Sequence, residues 1–284
     1  MKTGIVDVGG GMRDIYGAGV LDCCLAHGIS FDLGIGVSAG SANLSSFFAG
    51  QKGRNYQFYI EYAFRKAYIS AGNWLKTRNY VNLDYGYGTL SNSDGEYPLD
   101  FPAILSNPAE FQIVATNAVT GRPRYFDKTE MKQDDYGAVK ASSCVPVANT
   151  AYLIDGIPYF DGGLSDPIPV QRALDLGCDR VVLILTRPKD FRRDPEKDRF
   201  AARVLRRKYP NAARVMSERA HTYNTELDAA MALEQQGKVL IVAPDEIEGM
   251  KTLTRDKEVM NRLYQKGIRD AHRIEAFLSD ELQA

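Results

Sequence analysis

Twice within the first 50 residues a short apolar run ends in glycine and opens directly into a helix-like stretch. Residues 3–8 (TGIVDV) have strand length and lead into Gly9, Gly10 and Gly11, then into a helical pattern through Ala26 that stops at Gly28. The run FDLGIGVS turns between Gly36 and Gly40 into a small-residue helix, SANLSSFFAG. A strand that feeds a helix is followed by a crossover, and crossovers place the next strand parallel to the first. Further along, EFQIVATNAV reads as a strand with RPRYFD beside it, and AYLIDGIPYFDGG as a hairpin turning at Asp155-Gly156. PIPVQRALDLG is a helix with proline near its start, and the near-continuous apolar run DRVVLILT suits a strand covered on both faces. The predicted fold class is α/β, a mostly parallel central sheet covered by helices on both faces, with C-terminal helical additions.

The remainder is less regular. Residues 54–69 read as an aromatic helix, and 70–100, rich in Asn, Gly, Tyr and Ser, as an irregular excursion. DDYGAVKASS is a helix ended at Val145 by Pro146. Two long helical segments, 196–236 and 255–279, flank one more strand, KVLIVAP. No repeat or linker divides the chain, so residues 1–284 are expected to form a single domain, with a core at 3–186 and an extension at 187–284. At 44% hydrophobic and 25% charged residues, the composition supports a large core and excludes disorder. A net charge of −1 argues against nucleic acid as a partner. There is no secretion-signal pattern at the start, no uninterrupted apolar run long enough to span a bilayer, and no C-x-x-C among Cys23, Cys24, Cys144 and Cys178. These features predict a reduced, cytoplasmic protein, peripheral at the inner membrane surface if it meets a membrane at all.

Three motifs can carry chemistry. Gly36-Val37-Ser38-Ala39-Gly40 is a G-x-S-x-G at a strand-to-helix junction, where a tight turn lifts the serine hydroxyl out of the sheet and Gly36 and Gly40 let backbone pass close by. The helix that follows favours negative charge at Ser38. Gly9-Gly10-Gly11-Met12-Arg13 can converge backbone N–H groups on an anion, either a phosphate or an acyl-transfer oxyanion. A dinucleotide fingerprint needs a third glycine where Asp14 stands, so no nucleotide cofactor is expected. Tyr159-Phe160-Asp161-Gly162-Gly163 ends a strand in a carboxylate able to accept the Ser38 proton, whereas Asp166, before Pro167, reads as a helix N-cap.

The order G-G-G-x-R, G-x-S-x-G, D-G-G, together with GAGVLD, ASSCVP and DGGLSDPIPV followed by LGCDRVVLILTRP, resembles the patatin-like phospholipases, particularly their bacterial stand-alone members. The resemblance implies a serine acyl hydrolase with Ser38 as nucleophile, Asp161 as general base, and Gly9, Gly10, Gly11, Met12 and Arg13 as the oxyanion loop. It implies a phospholipid, lysophospholipid or related acyl ester as substrate, and neither metal nor organic cofactor. Asp14 departs from the glycine that many members carry there, and stands where it could pair with Arg13. The alternatives are an acyltransferase using the same dyad, or a non-catalytic lipid- or protein-binding module on the same fold. A triad would have to draw on His27, His221 or His272, all in helix-like or helix-end settings, so all three are expected to be dispensable. Between 187 and 219 twelve Lys and Arg face five Asp and Glu, a segment suited either to anionic membrane contact or to a solvated helical face balanced by acids elsewhere. The aromatic stretch from Tyr56 to Tyr87, with Trp74, suits an acyl channel, a cover or plain packing.

Overall fold

The computed structural model describes residues 1–279. Its strands are β1 (Thr3–Asp7), β2 (Leu33–Val37), β3 (Glu110–Asn117), β4 (Pro123–Asp127), β5 (Tyr152–Ile154), β6 (Ile157–Asp161), β7 (Arg180–Ile184) and β8 (Val239–Val242). They form one sheet in the order β5-β6-β3-β2-β1-β7-β8, with β4 also paired to β3. The run from β3 through β2, β1 and β7 to β8 is parallel, and the hairpin strands and β4 are antiparallel. Asp155 and Gly156 both take positive φ, 50° and 76°, as a two-residue hairpin turn requires.

The helices are α1 (Ile15–Ala26), α2 (Ala39–Phe48), α3 (Arg54–Ile60), α4 (Ala71–Thr77), α5 (Phe101–Ser106), α6 (Gly137–Ser142), α7 (Val170–Asp175), α8 (Arg199–Leu205), α9 (Pro210–Gln235), α10 (Lys257–Asp270) and α11 (Arg273–Leu278). Strand side chains alternate between two cores. Ile5, Val182 and Ile184 pack with Val20 of α1, Leu44 of α2 and Phe277 of α11, while Val6, Val181 and Leu183 pack with Ala173 of α7 and Leu227 of α9. Burial on both faces explains why these strands read as continuous apolar runs rather than alternating ones.

Several segments are more broken than the sequence pattern implies. The stretch 54–69 is α3 followed by a 3₁₀ turn at Tyr62–Phe64. Within 70–100 lie α4, whose N-cap Ser70 accepts the Asn73 N–H at 3.2 Å, and a π turn at Tyr85–Thr89. The segment 196–236 is divided because Pro210 begins α9 and the preceding Tyr209 leaves helical geometry, at φ −134° and ψ 71°. The segment 255–279 divides between α10 and α11 at Ala271–His272.

The C-terminal segment is joined tightly to the first strand–helix unit. A Cβ on Gly267 of α10 would lie 2.1 Å from the Tyr16 carbonyl of α1, and one on Gly19 would lie 2.2 Å from the Tyr264 carbonyl. The pair of glycines brings the two backbones together, and Tyr16 and Tyr264 donate reciprocally to Asp270 and Asp22, each at 2.8 Å. Gly267→Val must push the helices apart. It is expected to cost about 1–3 kcal/mol, a fall of several degrees in the thermal midpoint, read by differential scanning calorimetry.

Candidate active site

Ser38 sits between β2 and α2 at φ 56° and ψ −128°, a region that side chains other than glycine rarely occupy. The strain is held by its surroundings. The Ser38 N–H donates to Ser142 Oγ at 2.8 Å, and the Ser41 hydroxyl donates to the Ser38 carbonyl at 2.6 Å. Gly36 and Gly40 are required by close backbone approach: a Cβ on the first would lie 2.5 Å from Ser41 Cα, and on the second 2.3 Å from the Asp7 carbonyl. Gly9 packs onto the same elbow, where a Cβ would fall 2.3 Å from the Val37 carbonyl. The glycine loop and the serine turn are therefore one packed unit.

The sheet register brings Asp161 to this turn. Val37, the last residue of β2, pairs with Val114 of β3, and the next residue, Ala115, pairs with Asp161, the last residue of β6. Ala115 also pairs with Arg124 of β4. An edge of a strand holds one partner at a time, so β6 takes the edge that β2 has just left. The two strands run toward each other along β3 and end head to head, with Ser38 beyond one end and Asp161 at the other. A Cβ on Gly162 would lie 2.2 Å from the Val114 carbonyl, which explains the glycine after the aspartate. Asp161 is buried, and its carboxylate accepts the Gly163 N–H at 2.8 Å. Burial raises its pKa; the Arg219 guanidinium, the Ser38 hydroxyl and the Gly163 N–H act against that rise.

In the glycine loop, the Gly9 N–H is committed to Asp7 Oδ1 at 3.0 Å and the Met12 N–H to the Thr252 carbonyl at 2.8 Å. That leaves Gly10 and Gly11 as the loop donors without an acceptor among the described residues. The Met12 side chain is buried in a third cluster with Ile15 and Tyr59. Thr186, at the end of β7, donates to the Gly9 carbonyl at 2.6 Å and sets the loop from below. Arg13 is buried, bonds Thr252 Oγ1 through Nη1 at 3.1 Å, and leaves its Nε without a partner.

Asp14 does not pair with Arg13. It turns inward beside Asp7: a Cβ on Gly17 would touch both carboxyls, at 2.5 Å from Asp14 Oδ1 and 3.0 Å from Asp7 Oδ2. Both groups are fully buried, and neither Asp14 oxygen meets a protein donor. Two carboxylates so placed cannot both ionise, so burial, and for Asp14 the Asp7 charge as well, raises both pKa values, and a proton held by Asp14 fills the missing donor role toward Asp7. Unfolded aspartates ionise near pH 3.9. The folded chain thus binds the extra proton at pH values above that, and stability falls as pH rises from about 4 toward neutrality. Asp14→Asn supplies a permanent donor. It is expected to raise stability at pH 8 by about 1–2 kcal/mol and to flatten the decline between pH 5 and 8, measured by urea unfolding at each pH.

Ser38 opens onto two cavities. One is apolar and lined by Phe58, Tyr59, Tyr68, Leu83 and Tyr87. Part of the aromatic excursion therefore forms the wall beside the serine, while Trp74 lies outside it, 39% exposed on α4. The other cavity also contains Asp161 and Gly10, and its wall carries Arg13, Arg187, Arg193 and Arg219. Arg219 comes from the middle of α9 and donates through Nε to the Gly163 carbonyl at 2.6 Å. Its sequence context, SERAHTYN, carries no motif, and only the packing of α9 against the sheet brings it to the site. Asp166 is not a helix N-cap: α7 begins at Val170, and Asp166 accepts the Tyr125 hydroxyl. None of the histidines lines either cavity. His27 and His272 meet edge to face at 5.8 Å between ring centres, and His221 is exposed on α9. The four cysteines are free and buried, no group of His, Cys, Asp and Glu among the described residues is placed to hold a metal ion, and no helix among them is long and apolar enough to cross a membrane.

A strained serine at a strand–helix elbow, a glycine loop packed on it and a buried carboxylate facing it, all on a mostly parallel sheet, define a class of α/β proteins built around a strand–helix serine turn. Within that class, the patatin-like phospholipase family matches residues 8–174, and the chain belongs to this family of lipid acyl hydrolases. Residues 209–283 match a domain of unknown function, DUF6363. The uncharacterized protein YjjU of Escherichia coli K12 is 30% identical over 200 residues, which cover 69% of this chain and 55% of YjjU, so the chain spans about half the length of that curated relative. The crystal structure of VipD from Legionella pneumophila shares the fold at a TM-score of 0.50 and 13% identity, over 96% of this chain and 66% of VipD.

Proposed function

We propose that this protein is a serine acyl-ester hydrolase that cleaves phospholipid, lysophospholipid or related lipid acyl esters through a Ser38–Asp161 dyad. The observation that carries this reading is the head-to-head ending of β2 and β6 on one edge of β3, which puts the serine and the buried carboxylate in one cavity. Asp161 takes the Ser38 proton as the oxygen attacks the ester carbonyl, and the Gly10 and Gly11 N–H groups hold the oxyanion. Collapse breaks the acyl–oxygen bond, and Asp161 returns the proton to the leaving alcohol. Water, deprotonated by the same carboxylate, then releases the fatty acid. The apolar cavity suits the acyl chain.

Residues 1–284 act in this reading as one unit, since β8 extends the sheet and α10 locks onto α1. The protein works at the cytoplasmic face of an anionic membrane, met through the segment 187–219. Phe200 and Val204 stand one turn apart on α8, 67% and 51% exposed, among Arg199, Arg203, Arg206 and Arg207. The test is incubation with vesicles of defined phospholipids and lysophospholipids, read by mass spectrometry of released fatty acid. Release by the wild type and none by Ser38→Ala supports the reading. Equal release by both, or a product acylated on an added alcohol with no free acid, overturns it.

A further inference from the structure

The cavities on either side of Ser38 differ in the balance of apolar and cationic side chains. The first is mostly aromatic and aliphatic, and its one cation, Arg54, is held by the Ser91 hydroxyl and the Tyr97 carbonyl, whereas the second, with about 210 Å³ of free space, is walled by Arg13, Arg187, Arg193, Lys197 and Arg219. These five cationic side chains face two carboxylates, Asp161 on the wall and Asp198 behind it. Asp198 holds Arg193 through two bonds of 2.9 Å and lies 3.8 Å from Arg219. Arg187 has no carboxylate within ion-pairing distance among the described residues, and rests its guanidinium 4.2 Å from the centre of the Phe191 ring. Arg13, 6% exposed, keeps its Nε unpartnered. Burial and neighbouring guanidiniums pull the pKa values of Arg13 and Arg219 down to about 10, so both remain cations at neutral pH. Gathering unneutralised cations in a half-enclosed space is costly unless an anion enters it. An ester bound at Ser38 has two arms, and with the acyl arm in the apolar cavity its alcohol arm lies among the arginines.

We propose that Arg187, Arg193 and Arg219, with Arg13, form a phosphate subsite for the leaving-group side of the substrate, so that the preferred ester is an acyl glycerol phosphate. This rests on the acyl-hydrolase reading and narrows it to a substrate class. Guanidinium groups suit a phosphate because they join positive charge to parallel N–H donors. Arg193 and Arg219 commit Nε to Asp198 and the Gly163 carbonyl, respectively, and offer their remaining N–H groups, while Arg187 has no such commitment among the described residues. The acyl–oxygen bond is the one that breaks; glycerol phosphate leaves with the proton from Asp161, and its phosphate bonds are unchanged. Three of the four arginines lie beyond residue 174, outside the part of the chain matched by the patatin-like family. The subsite is therefore a property of this chain's C-terminal segment rather than of the dyad.

Arg187 is the residue to change, because it bonds neither the base nor the glycine loop. The assay compares kcat/KM for octanoyl glycerol 3-phosphate with that for octanoyl glycerol, the same acyl chain without the phosphate. The wild type is expected to favour the phosphate ester by about 10- to 100-fold, the range for a hydrogen-bonded charge pair. In Arg187→Gln that preference should fall about tenfold while cleavage of the neutral ester changes less than about threefold. Equal rates on both esters in the wild type, or an equal loss on both in Arg187→Gln, overturns the proposal. Calorimetric titration of the Ser38→Ala protein with glycerol 3-phosphate separates this proposal from the hydrolase reading. Binding that weakens in an added Arg187→Gln background supports the subsite even if no ester is cleaved, and absence of binding removes it whatever the esterase activity. Titration with inorganic phosphate alone tells a bare phosphate site from one that also needs the glycerol: equal affinity for the two ligands overturns the assignment to the leaving group.

Discussion

Ser38→Ala is expected to lower hydrolysis of a short-chain chromogenic ester by about 10⁴- to 10⁶-fold, the loss seen when a nucleophile is deleted from a covalent mechanism. Asp161→Asn should cost about 10²- to 10⁴-fold, since it removes the base but keeps the shape of the side chain. The asparagine amide retains an oxygen for the Gly163 N–H that Asp161 accepts at 2.8 Å, so the glycine turn survives and the loss reports on proton transfer. The double variant should be no worse than Ser38→Ala alone, because the base has no role once the hydroxyl is gone. Alanine at His27, His221 or His272 should leave the rate within about twofold, because none of the three lines a cavity at Ser38. A loss of the Ser38→Ala size in any histidine variant would replace the dyad with a triad.

Gly10→Ala is expected to reduce kcat by about 10²- to 10³-fold with little change in KM, the signature of a lost oxyanion donor. Gly10 has φ +145°, and a Cβ there would lie 2.3 Å from Thr186 Oγ1. That threonine hydroxyl holds the Gly9 carbonyl at 2.6 Å, so the substitution displaces the support as well as the donor. Gly28→Ala is the control for backbone strain alone: φ is +68°, but the added Cβ meets nothing within 4 Å. It should cost about 1 kcal/mol of stability and leave kcat unchanged. Steady-state kinetics on both variants, paired with thermal unfolding, separates loop position from strain.

The sheet was legible because its determinants are local. Gly9–Gly11 and Gly36–Gly40 mark the two strand–helix turns, and Asp155–Gly156 marks a hairpin that forms with both residues at positive φ. Ser38 and Asp161 were legible one at a time. Their meeting depends on β6 replacing β2 along β3 after Val114, and the registers Val37–Val114 and Ala115–Asp161 leave no trace in either motif. The same limit hid the supporting cast. Ser142, Thr186, Thr252 and Arg219 reach the site from α6, the end of β7, the segment before α10 and the middle of α9, in each case through packing. Asp14 was conspicuous in the sequence, but its neighbour Arg13 was the wrong partner. The chain direction at the 3₁₀ turn Gly11–Asp14 carries Asp14 under the loop to Asp7, while Arg13 faces the cavity. The segment 196–236 read as one helical stretch, and its division shows only in the non-helical backbone of Tyr209 before Pro210.

The central claim is that Ser38 is a nucleophile activated by Asp161, and covalent labelling with a fluorophosphonate tests it most directly. The wild type should gain one adduct, mapped by peptide mass spectrometry to Ser38. Asp161→Asn should label at least about 100-fold more slowly, with its fold unchanged by circular dichroism. An adduct on any other residue, or labelling of Asp161→Asn at the wild-type rate, would contradict the account.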